Sequence, residues 1–251
     1  MIFYKSLDEV RSMRKSGLIV AKVLDHLSTH IKPGINTLEL EKIAVDKMKS
    51  IEKDAVAAFK GYMGYPGSIC VSINSEVVHG IPSAKRVIKD GDLVSVDFGV
   101  EFGGYYGDAA FSKVAGNSTD DKNRLLQVTE RALYEGIKEA KIGNKLHDIS
   151  ASIQDYVEGF GFGIVRDFVG HGIGRSMHES PQIPNYGEKG TGVVLTDGMT
   201  IAIEPMVTAG AWQVRVLDDG WTAVTVDGSL AAHFEHSLAI TREGTIILTE
   251  L

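Results

Sequence analysis

The sequence contains little of what marks secreted or membrane-spanning proteins. It has a single cysteine, Cys70, among 251 residues, so no disulfide can form within the chain and a reducing compartment is expected. No apolar run approaches the roughly 20 residues that a membrane-spanning helix needs. The N-terminus, MIFYKSLDEV, lacks the long apolar segment of a signal peptide. We therefore expect a cytoplasmic protein that has no membrane partner.

An excess of positive charge is also missing. The chain has 26 Lys and Arg against 33 Asp and Glu, a net charge of -7. Clustered basic residues are the electrostatic mark of nucleic-acid binding, so nucleic acid is not an expected partner. The remaining composition, 43% hydrophobic and 24% charged, is typical of a globular protein. No low-complexity segment divides the chain, so we expect residues 1–251 to form a single domain.

Helical and strand patterns alternate in an order that occurs twice. Ser6 and Glu9 fit a capping box at the start of a first amphipathic helix, and a second helix begins near Asn36. Short β-prone runs follow this pair of helices. A second pair of helices is again followed by short strands, so the two predicted halves span about 5–111 and 119–240.

The two halves also share a short stretch of sequence. Segment 90–97 reads DGDLVSVD and aligns without a gap with segment 197–204, which reads DGMTIAIE. Each is a DG turn followed by an apolar strand, and the alignment places Asp97 on Glu204. An α+β fold with two halves related by a pseudo-two-fold axis is therefore predicted.

Two acids lie in one β-prone stretch, Leu93 to Phe111, which reads LVSVDFGVEFGGYYGDAAF. The turn-like residues 101–104 at its middle predict a β-hairpin. Pairing the strands about that turn places Asp97 and Asp108 opposite each other, with Cβ atoms about 4.5–5.5 Å apart. Carboxylates this close repel each other unless a proton or a cation lies between them. Two solvated strand acids are the simpler alternative.

Three further residues suit a metal site: His171, flanked by glycines, and the strand acids Glu204 and Glu235. Taken singly, each also fits a loop histidine or a solvated strand acid. As a set with Asp97 and Asp108, carboxylates and one imidazole suit Mn²⁺, Fe²⁺, Co²⁺ or Zn²⁺. Four carboxylates exceed what one small cation needs and match two ions about 3.5–4 Å apart. Such a centre makes a hydroxide nucleophile from bound water at neutral pH.

Five segments resemble the signatures of type I methionine aminopeptidases, a short bacterial form within the pita-bread metallopeptidase superfamily: VSVDFGV, YYGDAAF, GHGIG, IEPM and HFEHS. They occur in the family's order, and the resemblance covers almost the whole chain. It implies an α+β pita-bread fold, in which a central curved antiparallel sheet has two pseudo-two-fold-related halves and helices on its outer face. It also implies that the metal ligands are Asp97, Asp108, His171, Glu204 and Glu235.

The resemblance implies removal of the initiator methionine from nascent proteins when the second residue is small, by a metal-bridged hydroxide. Two divalent ions (Co, Mn, Fe, Zn or Ni) are the implied cofactors, with Asp97 and Glu235 bridging or chelating both. Glu204 would be the general base. His79, in VHGIP, would contact the scissile nitrogen, and His178, in RSMHE, would stabilise the developing oxyanion. The other histidines are expected to be structural: His26, His30, His147, His233 and His236.

The same resemblance implies a pocket for the methionine side chain. A flexible thioether packs well against aromatic rings and sulfur. Phe59 and Met177 depart from the family pattern, in which a small thiol is common at the first position and an aromatic at the second. These departures put inhibitor binding and second-residue tolerance in doubt, but not the preference for methionine. The implied pocket residues are Phe59, Tyr62, Tyr65, Cys70, Met177 and Trp221.

Asn74 and the neighbouring backbone also resemble a monovalent cation site of the family. The implied partners are the N-termini of nascent polypeptides near the ribosome, and a monomer is the family's usual form. The stretch between His171 and Glu204 is too short for the helical insertion of type II enzymes, which favours the short bacterial form.

Two alternative functions remain open at this point. An X-Pro peptidase of the same fold shares the metal ligands, but such enzymes usually carry a large extra N-terminal domain, whereas the first helix here begins near Ser6. A non-catalytic pita-bread protein that binds peptides is the second alternative. Proteins of that kind typically lose metal ligands, and all five are present here.

Overall fold

The computed structural model describes residues 1–251, and three of its four α-helices begin at a side-chain cap. Ser6 Oγ accepts a hydrogen bond from the Glu9 amide while the Glu9 carboxylate accepts one from the Ser6 amide, which confirms the predicted capping box. Asn36 and Glu39 repeat this arrangement, and Thr119 caps the third helix. The helices are α1 (Leu7–Ser28), α2 (Thr37–Ile51), α3 (Asp120–Glu139) and α4 (Leu146–Gly159). None of them combines the length and the apolar character needed to cross a membrane.

Fifteen short strands make up the rest of the regular structure, and every pairing between them is antiparallel. They are β1 (Val56–Ala57), β2 (Cys70–Ile73), β3 (Glu76–Val78), β4 (Leu93–Phe102), β5 (Tyr105–Val114), β6 (Gly163–Ile164), β7 (Gly170–Gly172), β8 (Glu179–Ile183), β9 (Thr200–Ile203), β10 (Met206–Thr208), β11 (Val214–Val216), β12 (Ala223–Thr225), β13 (Ala231–His233), β14 (Glu235–Thr241) and β15 (Gly244–Ile247).

The main sheet has nine strands in the order β1-β4-β5-β14-β9-β7-β8, with β2 paired to β4 and β15 to β14. Two three-stranded sheets, β13-β10-β6 and β11-β12-β3, adjoin it. The central antiparallel sheet is as expected. Strands from early in the chain meet strands from late in the chain at the β5–β14 pairing. The relation of the two halves by a pseudo-two-fold axis stays a prediction.

Alternation along the strands separates a helix-covered face of the sheet from a face that carries the acids. Val96 and Phe98 of β4 are fully buried in one apolar core with residues of α1 and α2. The residue between them, Asp97, points to the opposite face because successive side chains in a strand alternate. A second core, which includes Ile203 of β9 and Leu238 of β14, buries the apolar sides of α3 and α4. The helices therefore leave one face of the sheet for the acidic side chains.

The β4–β5 hairpin forms as predicted, but its register differs from the prediction. Gly103 (φ 63°) and Gly104 (φ 82°) form the two-residue turn. Positive φ at both central positions is the geometry of a type I′ turn, which two glycines adopt without strain. Asp108 pairs with Gly99, so Asp97 lies two residues along on the same face. The expectation that the two acids are directly opposite was wrong, and they are diagonal neighbours.

Glycine lets α1 lie directly against the sheet and the C-terminal segment. A Cβ on Gly17 would overlap the carbonyl oxygen of Leu248, and a Cβ on Gly107 of β5 would lie 2.8 Å from the Gly17 nitrogen. Both obstacles are backbone atoms, which cannot move aside by rotating a side chain. The helix–sheet contact therefore depends on the absence of a side chain at these positions.

We expect Gly17→Ala to lower the free energy of unfolding by about 1–3 kcal/mol, the usual cost of forcing extra atoms into a packed interior. Denaturant titration would measure the change. Gly159→Ala is the matched control, because nothing lies within 4 Å of a Cβ there. Equal stability of the two variants would contradict the close packing of α1.

Candidate metal centre

A cavity of about 560 Å³ opens at the sheet face that the helices leave uncovered. Its 18 lining residues include no lysine or arginine. Carboxylates therefore converge there without a permanently cationic side chain among them. All five residues predicted as metal ligands line the cavity: Asp97, Asp108, His171, Glu204 and Glu235.

Three adjacent strands present three of these acids. Asp97 lies on β4, Asp108 on β5, and Glu235 begins β14, where it pairs with Ala110 of β5. Ser237 locks the junction between β5 and β14: its hydroxyl donates to the Asp108 carbonyl (2.7 Å) and accepts from the Asp108 amide (3.0 Å). The chain thus closes the sheet at the point where the acids meet.

Glu204 reaches the cavity because the strand ladder stops at it. β9 ends at Ile203, and Pro205 has no amide hydrogen with which to continue the ladder. The Glu204 carbonyl instead accepts a hydrogen bond from the Asn185 side-chain amide at 3.0 Å. Asn185 is fully buried, so this interruption of the strand is held in place from inside the protein.

His171 is oriented as a neutral ligand. Its Nδ1 lies 2.8 Å from the Gly172 carbonyl and so carries the proton, which leaves the Nε2 lone pair free. Nε2 lies 3.7 Å from Glu204 Oε1 and 4.0 Å from Asp108 Oδ2. Burial lowers the pKa of His171 to about 3, so the ring is neutral at physiological pH. Neutral imidazole is the form that binds metals.

The buried carboxylates are unpaired. Asp97 Oδ1, Asp108 Oδ1 and Glu235 Oε1 have no hydrogen-bond partner. Burial raises the pKa of Asp97 to about 7. Burial, and then repulsion from neighbouring carboxylates, raises the pKa of Asp108, Glu204 and Glu235 well above the ordinary range. Unpaired buried charges are costly, and bound cations remove that cost.

The residues present therefore fit divalent metal ions. Ligand atoms of Asp108, His171 and Glu235 all lie within 4.8 Å of one another. Oxygen donors with a single imidazole suit hard to borderline divalent cations. Asp97 and Glu204 add two more carboxylates at the same cavity.

The two histidines predicted to act on the substrate both line the cavity. His79 adopts φ 62° in the turn after β3, and its ring lies edge-on to Phe168 (5.3 Å between centroids) and Trp221 (6.4 Å). Burial lowers its pKa to about 4, so this ring is neutral. His178 Nδ1 lies 2.8 Å from the Tyr62 hydroxyl, and its ring centroid is 4.1 Å from that of His171.

The predicted methionine pocket is one apolar cluster beside the acids. Phe59, Tyr65, Cys70 and Met177 are buried together, with Tyr62 and Trp221 packed against them. All except Met177 line the cavity. Met177 is 1% exposed and lies behind the wall, where its Cε and the Phe59 ring would come within 2.9 Å of a Cβ on Gly99. The two residues that depart from the family pattern therefore pack at the same place.

Sequence reasoning missed other residues at the cavity. His233, expected to be structural, is 2% exposed, and its unpartnered Nε2 lies 3.9 Å from Glu204 Oε2. Gln182 of β8 pairs with His171 and lines the wall. Phe168, which orients His79, also had no assigned role. These positions join the site only through strand pairing and packing, so no local pattern could have shown them.

Asn74 lies apart from these residues, between β2 and β3. Its side-chain amide donates to Asp92 Oδ1 (2.8 Å), and its side-chain oxygen accepts from the Leu93 amide (3.0 Å). Its main-chain carbonyl accepts from the Ala231 amide at 2.9 Å. A monovalent cation at this position stays a prediction.

Comparison with known proteins agrees with this geometry. Residues 11–242 match metallopeptidase family M24. The chain belongs to metallopeptidase family M24. Methionine aminopeptidase 1 of Bacillus subtilis is 52% identical over 251 residues and all of both chains. The methionine aminopeptidase of Escherichia coli is 43% identical over 248 residues, 99% of this chain and 94% of that protein.

Solved structures of M24 metallopeptidases confirm the pita-bread fold. A methionine aminopeptidase from Thermotoga maritima superposes with a TM-score of 0.97 at 49% identity, covering all of both chains. A prolidase from Pyrococcus horikoshii superposes with a TM-score of 0.77 at 23% identity, covering 98% of this chain and 63% of that one. The second likeness shows the fold alone. The resemblance to methionine aminopeptidases is thus confirmed over the full length of the chain.

In the metal-free M24 protein, we expect Glu235→Gln to raise the free energy of unfolding by about 1–3 kcal/mol, the scale of an unpaired buried polar group. The substitution removes one charge from four mutually repelling carboxylates. A divalent metal at about 100 times its Kd should add about 2.7 kcal/mol to the wild-type stability. This gain should largely disappear in Glu235→Gln. Thermal denaturation with and without Mn²⁺ measures both effects.

The matched control for this experiment is Glu188→Gln, which changes an exposed acid outside the cavity. It should leave both the metal-free stability and the gain from metal unchanged. A full metal-dependent gain in Glu235→Gln would show that this carboxylate is not a ligand.

Proposed function

We propose that this chain is a methionine aminopeptidase that removes the initiator methionine from nascent proteins whose second residue is small. The observation that carries the proposal is one cavity in which an apolar pocket of aromatic rings and sulfur adjoins five metal-ligand side chains. Full-length likeness to methionine aminopeptidases of several bacteria supports it. The finer proposal is a monomer that acts in the cytoplasm on chains emerging from the ribosome.

The pocket binds the first side chain of the substrate. Phe59, Tyr65 and Cys70 form a compact apolar wall, and the edge of Trp221 meets Tyr65 with ring centroids 5.1 Å apart. A methionine thioether gains from such contacts with ring edges and sulfur. The carboxylates and the absence of basic side chains from the wall favour a positively charged α-amino group beside the pocket. These two features select a free N-terminal methionine.

The proposed ligands Asp97, Asp108, His171, Glu204 and Glu235 hold two divalent ions. When bound, such ions act as Lewis acids and supply a water nucleophile at neutral pH. The Glu204 carboxylate would accept a proton from such a water, as a general base.

The two histidines act on the peptide group. His178 Nδ1 is engaged with the Tyr62 hydroxyl, so Nε2 is the nitrogen that donates to the carbonyl oxygen as it gains negative charge. His79 is neutral and is oriented by the edges of Phe168 and Trp221. It donates a hydrogen bond to the scissile nitrogen side. A ring that is already oriented loses little entropy on binding the substrate.

The alternatives are less well supported. An X-Pro peptidase shares the fold, but the prolidase structures are only 23% identical to this chain, whereas methionine aminopeptidases reach 49% and 52%. A non-catalytic binding protein would have no use for three carboxylates with unpaired buried oxygens, whose burial costs stability.

We expect the purified chain to release methionine from Met-Ala-Ser with Co²⁺ or Mn²⁺ added, and to be at least about tenfold slower on Met-Leu-Ser. An Xaa-Pro dipeptide should be a poor substrate. Chromatographic detection of free methionine makes the comparison. No release with any divalent metal would overturn the proposal, and faster cleavage of the Xaa-Pro dipeptide would favour the X-Pro peptidase.

His79→Ala should lower kcat by about 10²–10⁴-fold, the usual contribution of a positioned proton donor or acceptor. Metal binding measured by calorimetry should not change. His147→Ala serves as the control, because His147 bonds to Thr191 outside the cavity and should retain full activity. Loss of a metal equivalent in His79→Ala would contradict the assigned role.

A further inference from the structure

We propose that the N-terminal segment, residues 2–9, positions the loop that carries Met177 and His178, and that the buried Lys5–Glu179 ion pair is the main connection. This inference rests on the proposed function and deepens it. Lys5 is a positioning residue, because it lies outside the cavity and acts through Glu179, which lines the cavity and shapes the loop.

The loop between β7 and β8 is folded around one carboxylate. Glu179 Oε1 accepts hydrogen bonds from the main-chain amides of Arg175 (2.8 Å) and Ser176 (3.2 Å). Glu179 Oε2 is paired with the Lys5 ammonium group. The side chains of Lys5 and Glu179 are only 4% and 5% exposed. The loop therefore depends on a buried negative charge that a single lysine neutralises.

Lys5 is itself fixed to the body of the protein. Its ammonium group also donates to the Phe3 carbonyl at 3.0 Å, and its amide donates to the Gly198 carbonyl at 2.8 Å. The Gly198 amide in turn donates to the Ile240 carbonyl of β14 at 2.9 Å. A Cβ on Gly174 would overlap the Lys5 side chain, so the loop leaves room for the lysine. The lysine is thus anchored to the strand that begins with Glu235.

The same N-terminal segment contacts the loop at both of its ends. Ile2 forms an isolated parallel bridge with Ser180, just after the loop. The Arg175 guanidinium group lies 3.1 Å from Glu9 Oε1 of α1, and 4.7 Å above the Tyr105 ring. Three separate contacts therefore connect residues 2–9 to the loop.

The consequence of losing the lysine charge follows from the cost of a lone buried ion. A carboxylate left without its partner in a buried position either gains a proton or moves to solvent. In either state its hydrogen bonds to Arg175 and Ser176 weaken. The loop then becomes more mobile. Met177 is no longer held behind the cavity wall, and His178 is no longer held on it. None of the five proposed metal ligands lies in this loop. Four of them lie on β4, β5 and β14 or directly after β9, and His171 precedes the loop.

The test compares Lys5→Met with Arg11→Met. Arg11 also pairs with an acid near the N-terminus, but its side chain and that of Asp8 are 77% and 87% exposed. We expect Lys5→Met to speed amide hydrogen exchange at Arg175 and Ser176 by about tenfold or more. It should also lower kcat on Met-Ala-Ser by up to about 10²-fold, with a smaller change in KM. Metal stoichiometry should stay unchanged, and Arg11→Met should alter none of these quantities.

A double substitution separates positioning from general destabilisation. Lys5→Met combined with Glu179→Gln leaves no unpaired buried charge, and the glutamine oxygen can still accept from the two amides. It should recover exchange protection and most of the activity that Lys5→Met loses. A double variant no better than Lys5→Met would overturn the proposal, as would unchanged exchange at Arg175 and Ser176 in Lys5→Met.

The dependence on His178 gives a second criterion. In a His178→Ala background, adding Lys5→Met should lower kcat by less than about threefold, because residues that act through one group are not additive. An equal loss in both backgrounds would show that Lys5 does not act through the loop histidine. If the wild-type chain released no methionine at all, the proposed function would fail, whereas the exchange measurement would still decide whether Lys5 holds the loop.

Discussion

The repulsion among four carboxylates in one cavity is the constraint on which the rest of this structure depends. Asp97, Asp108, Glu204 and Glu235 share one cavity without a lysine or arginine beside them. Three of their oxygens have no hydrogen-bond partner. The free energy that this arrangement costs must come from elsewhere in the fold. Two large apolar cores, one under each pair of helices, supply it. Cations bound in the cavity would relieve the same repulsion, which favours their binding.

The sheet makes this arrangement possible because one of its faces packs against the helices and the other carries the acids. On β4, Asp97 faces the cavity, while its neighbours Val96 and Phe98 point to the other face and form core. On β14, Glu235 faces the cavity and His236 faces α3, where it lies near Tyr134. One residue along a strand therefore separates a ligand from a structural side chain. The proposed metal ligands lie on strands or next to them, whereas His178, which is proposed to contact substrate, lies in the less regular loop before β8.

The division between strands and loop gives the N-terminal segment its proposed role. The strand-borne acids are positioned by strand pairing and, between β5 and β14, by the Ser237 hydroxyl bonded to the main chain of Asp108. His178 has no such ladder and depends on the side chain of Glu179 to shape its loop. A buried lysine from the start of the chain completes that shape. His178 and the strand-borne acids are thus held in different ways, the first through a side-chain contact and the second through strand pairing.

The sequence by itself determined the capping box at Ser6 and Glu9, the hairpin and the identity of the acids and histidines, because turns, caps and alternation depend on residues close along the chain. It also indicated the family through motifs in a characteristic order. Only the tertiary structure decided the diagonal placement of Asp97 and Asp108, since two glycines in a type I′ turn shift the register. It alone placed His233 beside Glu204, Met177 behind the wall and Lys5 against Glu179. These contacts join residues far apart in the chain, so packing and strand register decide them, not any local pattern.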